Sequence, residues 1–194
     1  MPYHGGMSEH EHERRFHGGP ERLRSPERVA RLEVERVVTL SVEGLPAARL
    51  LDVGTGTGLF AEAFAAKVLA VAGIDPNKEH LAIAARLVRG AEFKEGIAEA
   101  IPYGDGAFDI AFLGHVLHEV DDPAAALREA RRVSTRRVVV LEWPYKAEEQ
   151  GPPLEHRLKE ETIVALAAQA GLVRVDRVRL ARTDLYRMST EEDA

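Results

Sequence analysis

The sequence predicts an α/β fold, a single domain built on a mostly parallel seven-stranded sheet with one antiparallel strand and helices on both faces. Three observations predict it. The run Arg49-Leu50-Leu51-Asp52-Val53 is apolar, carries an acid, and leads into Gly54-Thr55-Gly56-Thr57-Gly58-Leu59-Phe60, which reads as strand, tight turn and helix start. From there to Glu142, strand-like and helix-like segments alternate, the pattern of a parallel sheet with crossover helices. At the C-terminal end the runs 173–180 and 184–188 have no helix between them, so that pair must be antiparallel.

Taken in order, residues 1–20 are polar, glycine-rich and aperiodic, with His4, His10, His12 and His17 among acids. The His10-x-His12 pair with His17 has the residue types of a metal site, although a solvated tail is the simpler reading. Ser25 caps a helix with Pro26 at its first position; Ala30, Val34, Val37 and Val38 give it one apolar face, and Gly44-Leu45-Pro46 stops it. A second apolar run, 68–74, ends in Gly73-Ile74-Asp75-Pro76, after which Asn77 caps a helix through Val88 that Gly90 closes. A short strand at 91–95 and a fourth at 108–113 flank the turn Tyr103-Gly104-Asp105-Gly106. Asp122-Pro123 opens a helix through Val133, and Arg137-Val138-Val139-Val140-Leu141-Glu142 is a central strand. Trp143-Pro144-Tyr145 begins a loop to Pro153, Ile163 to Ala170 lie on a helix that Gly171 ends, and the apolar phase switches between Val175 and Val178, which predicts a bulge near Asp176-Arg177.

The glycine turn is a small-molecule cradle. Gly54 and Gly56 bring bare backbone against a ligand, and a helix opening near Gly58 offers its unpaired N–H groups. Asp75 stands at the tip of the next strand, 19 residues past Gly56, where a carboxylate suits a ribose diol. A dinucleotide fingerprint wants its third glycine where Leu59 stands, and no Gly-Lys-Ser/Thr follows to make a P-loop.

The run Leu51-Asp52-Val53-Gly54-Thr55-Gly56-Thr57-Gly58 with Gly73-Ile74-Asp75 resembles the class I S-adenosylmethionine-dependent methyltransferases. The likeness extends through Ala98-Glu99-Ala100-Ile101-Pro102 and Phe108-Asp109-Ile110-Ala111 to Leu117-His118-Glu119-Val120-Asp121-Asp122-Pro123, a run similar to the small-molecule branch that includes quinone-ring methyltransferases, and covers roughly residues 45–188. The resemblance implies a Rossmann-like core at 45–194 preceded by an N-terminal segment and helix, 1–44, that acts as a lid. It implies S-adenosyl-L-methionine as methyl donor, with S-adenosyl-L-homocysteine as product. Asp52 then orients the amino-acid end of the donor, and Gly54, Thr55, Gly56 and Gly58 line it. Asp75 with Pro76 takes the ribose, while Ile97, Ala98, Glu99, Leu113 and Gly114 flank the adenine and methionine portions. Ile97 is a departure, because the family usually has an acid there to accept from the adenine amino group.

His115, His118 and Glu119 follow the fourth strand, facing the expected acceptor. His118 is the first choice for a general base, although the simpler reading is that it packs and hydrogen-bonds the loop. Trp143 and Tyr145, past the fifth strand, are candidates for an aromatic wall against a flat acceptor. Absences narrow the chemistry. Zero cysteines remove disulfides and every cysteine nucleophile, and a formal net charge of −6 disfavours a nucleic-acid partner. Leu113-Gly114-His115-Val116 replaces the Asn/Asp-Pro-Pro-aromatic run that resemblance associates with methylation of nucleobase or glutamine amino groups, and lacks the acids of the metal-dependent catechol type. The remaining acceptor is a small molecule methylated on O, C or N. No stretch is long and apolar enough to insert in a membrane, and the start carries no signal-peptide pattern, so a cytoplasmic location is expected. One Asn and two Gln in 194 residues suit a thermophile. The competing functions are a noncatalytic adenosylmethionine-binding protein and an NAD-dependent oxidoreductase.

Overall fold

The computed structural model describes residues 19–45, 48–68 and 70–190. The first eighteen residues and their four histidines, with the metal-binding and tail readings placed on them, lie outside the described residues.

Strands β1 (Arg49–Val53), β2 (Ala70–Asp75), β3 (Glu92–Glu95), β4 (Phe108–Gly114), β5 (Ser134–Glu142), β6 (Arg174–Arg179) and β7 (Asp184–Ser189) form one sheet in the order β3-β2-β1-β4-β5-β7-β6. β7 alone runs against its neighbours, pairing antiparallel with both β5 and β6. The chain steps outward from β1 to β3 and then returns to place β4 on the other side of β1. The order therefore reverses between β1 and β4, and the loops leaving the C-terminal ends of these two parallel strands diverge there to leave a crevice.

Helices α1 (Pro26–Arg31), α2 (Val34–Val42), α3 (Leu59–Ala65), α4 (Lys78–Leu87), α5 (Pro123–Val133) and α6 (Glu160–Gln169) cover the sheet. The period-two alternation of the strands divides the core. Leu51, Val53, Ile74, Leu113, Val138 and Val140 pack with α5 and α6, whereas Leu50, Ile110, Phe112, Val139 and Leu141 pack with α2 and α3. Asn77 caps α4 by accepting from the N–H groups of Glu79 and His80, and Asp122 caps α5 by accepting from Ala125, as their side-chain chemistry predicts.

The N-terminal helix differs from expectation. Ser25 does accept from Arg28 N–H, but the helix breaks at Leu32-Glu33, where Glu33 has a left-handed φ of 47°, and a 3-10 turn (Pro20–Arg24) precedes it. Leu32 is fully buried at the break, and the Glu33 carboxylate accepts from Ala181 N–H, so tertiary contacts hold a conformation that no local breaker residue announces. The bulge expected near Asp176-Arg177 is absent, since β6 keeps continuous register with β7 from Arg174 to Arg179. Val175 and Val178 pack against opposite faces of the sheet, which accounts for the switch in apolar phase without an extra residue. The register irregularity lies instead between Phe108 and Ile110, opposite the start of β5, which begins three residues before the predicted position.

Candidate active site

The glycine turn joins the end of β1 to α3 with left-handed backbone at Gly54, Gly56 and Gly58 (φ 67°, 54° and 81°). Only glycine takes all three without steric penalty. Two bonds stitch this turn to β2: Thr55 N–H donates to Ile74 O at 2.9 Å, and Gly56 N–H donates to Asp75 Oδ2 at 2.8 Å. The other Asp75 oxygen accepts from Asn77 N–H at 2.8 Å, and His80 Nδ1 lies 3.8 Å from it. A carboxylate has about four lone-pair positions, so two of them stay open for ligand hydroxyls. The side chain assigned to a ribose thus also holds the cradle.

Asp52 is 2% exposed and accepts from Thr55 Oγ1 at 2.7 Å, which anchors the turn from below. Burial is the largest influence on its carboxyl and raises the pKa to about 7, with Asp75 adding to the rise; the Thr55 hydroxyl and Ala61 N–H oppose it. A cationic group brought nearby would favour the ionised form.

On the far side of the crevice, the Val116 side chain overlies Gly54: a Cβ built on Gly54 would come 2.4 Å from Val116 Cγ2. This places the segment after β4 directly against the donor cradle. His118, 6% exposed, directs Nδ1 to Glu142 Oε2 at 2.8 Å, while its own N–H donates to Glu142 Oε1 at 3.2 Å. Its Nε2 is 3.8 Å from Glu119 Oε1. Burial alone would lower the His118 pKa, but the Glu142 and Glu119 carboxylates outweigh it and the net shift is upward. The Glu142 carboxylate thus fixes the orientation of the His118 ring and raises its affinity for a proton.

His115 is the contrasting group. It occupies a left-handed conformation (φ 62°), is 7% exposed, and neither ring nitrogen has a hydrogen-bond partner. Burial, then the charges of Arg28, His118 and Arg31, push its pKa well below the usual value, so the ring is neutral. The Trp143 ring packs 4.9 Å from it at an interplanar angle of 37°. Trp143 itself is 6% exposed, with Gly151 close against its ring, so it backs His115; Tyr145 is 46% exposed, with Lys159 over its ring.

The remaining predicted donor residues gather at the same end of the sheet. Ala98 and Leu113 are buried, Gly114 pairs with Leu141, and Pro76 is exposed. Glu99 Oε1 accepts from Asp121 N–H at 3.0 Å, tying the loop after β3 to the loop after β4. Ile97 is 45% exposed, an apolar surface open to a flat ligand. Among the described residues no group of three potential ligands could hold a metal ion, and no helix is long and apolar enough to cross a membrane.

Sequence reasoning missed three contributors. Glu142 binds His118, and its signal was the same as that of Asp52 and Asp75, an acid at the end of an apolar strand. Arg157, 4% exposed, donates to the carbonyls of Pro144, Lys146, Gln150 and Pro152 and so shapes the loop behind Trp143. The 3-10 turn reaches the cradle: Arg24 Nη1 donates to Thr57 O at 2.9 Å and Arg24 pairs with Glu62, while a Cβ on Gly56 would meet Leu23 at 3.4 Å.

The adenosyl donor fits this cradle on two observations: bare backbone at Gly56 faces space that a larger side chain would enter, and Thr57 Oγ1 is buried in the turn without a partner. Comparison with known proteins agrees. Residues 51–140 match the family described as a methyltransferase domain. The uncharacterized methyltransferase YcgJ of Bacillus subtilis is 36% identical over 90 residues, covering 44% of this chain and 36% of the relative. Demethylmenaquinone methyltransferase of Thermotoga maritima is 36% identical over 112 residues, covering 56% of this chain and 48% of the relative. The chain therefore spans less than half the length of these curated relatives. The crystal structure of a SAM-dependent methyltransferase from Aquifex aeolicus superposes with a TM-score of 0.79 at 24% identity, covering 87% of this chain and 95% of that one, and establishes the shared fold. Residues 51–140 thus carry the sequence of a methyltransferase domain, on a fold shared with an S-adenosylmethionine-dependent methyltransferase of known structure.

Proposed function

We propose that the protein is an S-adenosylmethionine-dependent methyltransferase that passes the methyl group to a small-molecule acceptor by in-line displacement. The observation that carries this reading is the hydrogen bond from Gly56 N–H to Asp75 at the point where the strand order reverses, which joins a glycine cradle and a ribose-binding acid in one site. The donor supplies a methyl group activated by a sulfonium, so the protein needs chiefly to align two ligands and exclude water.

In this reading Asp52 faces the amino-acid end of the donor across the turn it anchors, and Gly54, Thr55, Gly56 and Gly58 line it. Asp75 and Pro76 hold the ribose. Ile97, Ala98, Glu99, Leu113 and Gly114 border the adenine and methionine portions, with Ile97 giving the base an apolar contact where an acid would give a polar one. His115, His118, Trp143 and Tyr145 form the acceptor side, with His118, oriented by Glu142, as the candidate general base. Residues 1–44 act as the lid, supported by the contacts of Leu23 and Arg24 with the glycine turn. The name of the Thermotoga relative points to quinone-type rings as the first acceptors to try, and the composition supports a cytoplasmic, thermophilic setting.

The test is calorimetric titration with S-adenosylmethionine, S-adenosylhomocysteine and NAD, followed by mass-spectrometric detection of S-adenosylhomocysteine with candidate acceptors. Binding of the first two and turnover with at least one acceptor is expected. Tight NAD binding without adenosylmethionine binding would overturn the reading, and donor binding with no turnover on any acceptor would favour a noncatalytic binding protein.

A further inference from the structure

The loop after β3 is fixed in place beside the acid assigned to the ribose. β3 lies next to β2 with Glu95 in register with Asp75, and Gly96 N–H donates to Asp75 O at 3.3 Å. A Cβ on Gly96 would come 2.8 Å from the Pro102 ring, so the chain turns tightly there, and Ala100 N–H then donates to Ile97 O at 3.2 Å. Glu99 ties the same turn to Asp121 N–H. Neighbouring strands stand about 4.8 Å apart and a strand rises about 3.3 Å per residue, so Ile97 stands one strand over from Asp75 and two positions further along. In the proposed site the amino-acid end of the donor lies on the glycine turn after β1 and the ribose on Asp75 after β2. The base then extends onto the loop after β3, with its C6 edge, the edge remote from the sugar, outermost.

What meets that edge is apolar. Ala98 is packed into the core, whereas the neighbouring Ile97 is 45% exposed. The acceptors around it are engaged elsewhere: Ile97 O takes Ala100 N–H, Glu99 Oε1 takes Asp121 N–H, Glu95 pairs with Lys78 at 3.1 Å, and Asp122 caps α5. Asp121, the other acid of these loops, is exposed to water. An amino group at such an open edge keeps its bonds to water, so its removal costs no protein bond and leaves no buried group unpaired. Strong rejection of an analogue that lacks a polar group requires a buried partner built for that group. Ile97 supplies the reverse, an apolar surface that a flat ring covers on binding.

Resting on the methyltransferase reading, we infer that the donor site does not read the 6-amino group of adenine. Ile97 holds the purine by apolar contact, and purine nucleosides that lack the amino group, or carry alkyl groups on it, are ligands of the same site.

The experiment compares S-adenosylhomocysteine with its 6-deamino analogue, which has hydrogen at C6, and with its N6,N6-dimethyl analogue. All three keep N1 as an acceptor and differ only at position 6. Each is titrated calorimetrically into the full chain, and the three dissociation constants should agree within about threefold. Ile97→Asp puts a carboxylate where it can accept from the amino group, and should make S-adenosylhomocysteine preferred over the 6-deamino analogue by about fivefold or more. Ile97→Ala should weaken all three ligands alike, by about two- to fivefold, because it removes apolar cover and no polar contact. A wild-type preference for S-adenosylhomocysteine of more than about threefold over either analogue would overturn the inference, and this ratio decides it even if a variant does not fold. A folded Ile97→Asp protein with an unchanged ratio, or Ile97→Ala with unchanged affinity for all three, would overturn it as well. Failure of S-adenosylhomocysteine itself to bind would count against the methyltransferase reading, whereas loss of the analogues alone counts against this inference only.

Discussion

Replacing Asp75 by alanine tests the donor site where its structure and its proposed chemistry meet. The carboxylate is 8% exposed and accepts from Gly56 N–H and Asn77 N–H, each at 2.8 Å. Hydrogen bonds to a charged group contribute about 1.5–3 kcal/mol each. Two are lost from the folded protein, and those to the ribose are lost from the complex. Bonds present with and without ligand cancel in the affinity except where the glycine turn loosens, so the expected loss of donor affinity is about 2–4 kcal/mol, or about 30- to 1,000-fold. The intramolecular loss appears separately as a melting temperature lower by about 6–24 °C. Calorimetric titration with S-adenosylhomocysteine reads the first quantity and thermal unfolding the second. Asp75→Asn retains one oxygen acceptor and loses the charge, and should fall between wild type and alanine on both measures. A natively folded Asp75→Ala protein with wild-type affinity would refute the assignment of this residue to the ribose.

Two further outcomes follow from the same geometry. Asp52 has its pKa raised from 3.8 to about 7 on folding, so the stability it contributes is fully present below 3.8 and is lost as pH rises through 7, a swing of about 4 kcal/mol. His118 is also raised, and its contribution is present below 6.5 and lost as pH rises through its folded value. His115, with its pKa lowered, acts in the opposite sense over pH 6 to 8, so the test is a difference: the ligand-free melting temperature should change less favourably with rising pH in wild type than in Asp52→Asn, and unfolding scans across that range check it; parallel profiles would contradict the burial argument. Arg24→Ala removes the bond to Thr57 O and the pair with Glu62 at a partly exposed position, and should weaken donor binding about three- to tenfold with little loss of stability, as measured by calorimetry and melting.

The parts of this protein that were legible in sequence are those set by near neighbours in the chain. Asn77 and Asp122 cap their helices through N–H groups two or three residues away, and short apolar or β-branched runs bounded by turn residues located the strands of the sheet. Asp52 and Asp75 were legible because each ends a strand beside a glycine or proline turn. The features that sequence did not announce are long-range. His118 and Glu142 are 24 residues apart and meet because β4 and β5 are neighbours, and Arg24 reaches Thr57 across 33 residues. The break at Glu33 depends on Leu32 entering the core and on a bond from Ala181, which no propensity rule contains. Likewise, a histidine after a strand reads the same whether its nitrogens are satisfied, as in His118, or unpartnered, as in His115.

That difference between two histidines three residues apart gives the crevice a direction. On the β1–β2 side stand the carboxyls of Asp52 and Asp75, which favour a ligand carrying positive charge. On the side after β4, the Glu142 carboxylate is held by His118 through Nδ1 and the backbone N–H. Removing the His118 ring would leave that carboxylate buried without its imidazole partner, so His118→Ala should lower stability together with binding of the proposed acceptor, while leaving the Asp75 side, and with it donor affinity, near normal.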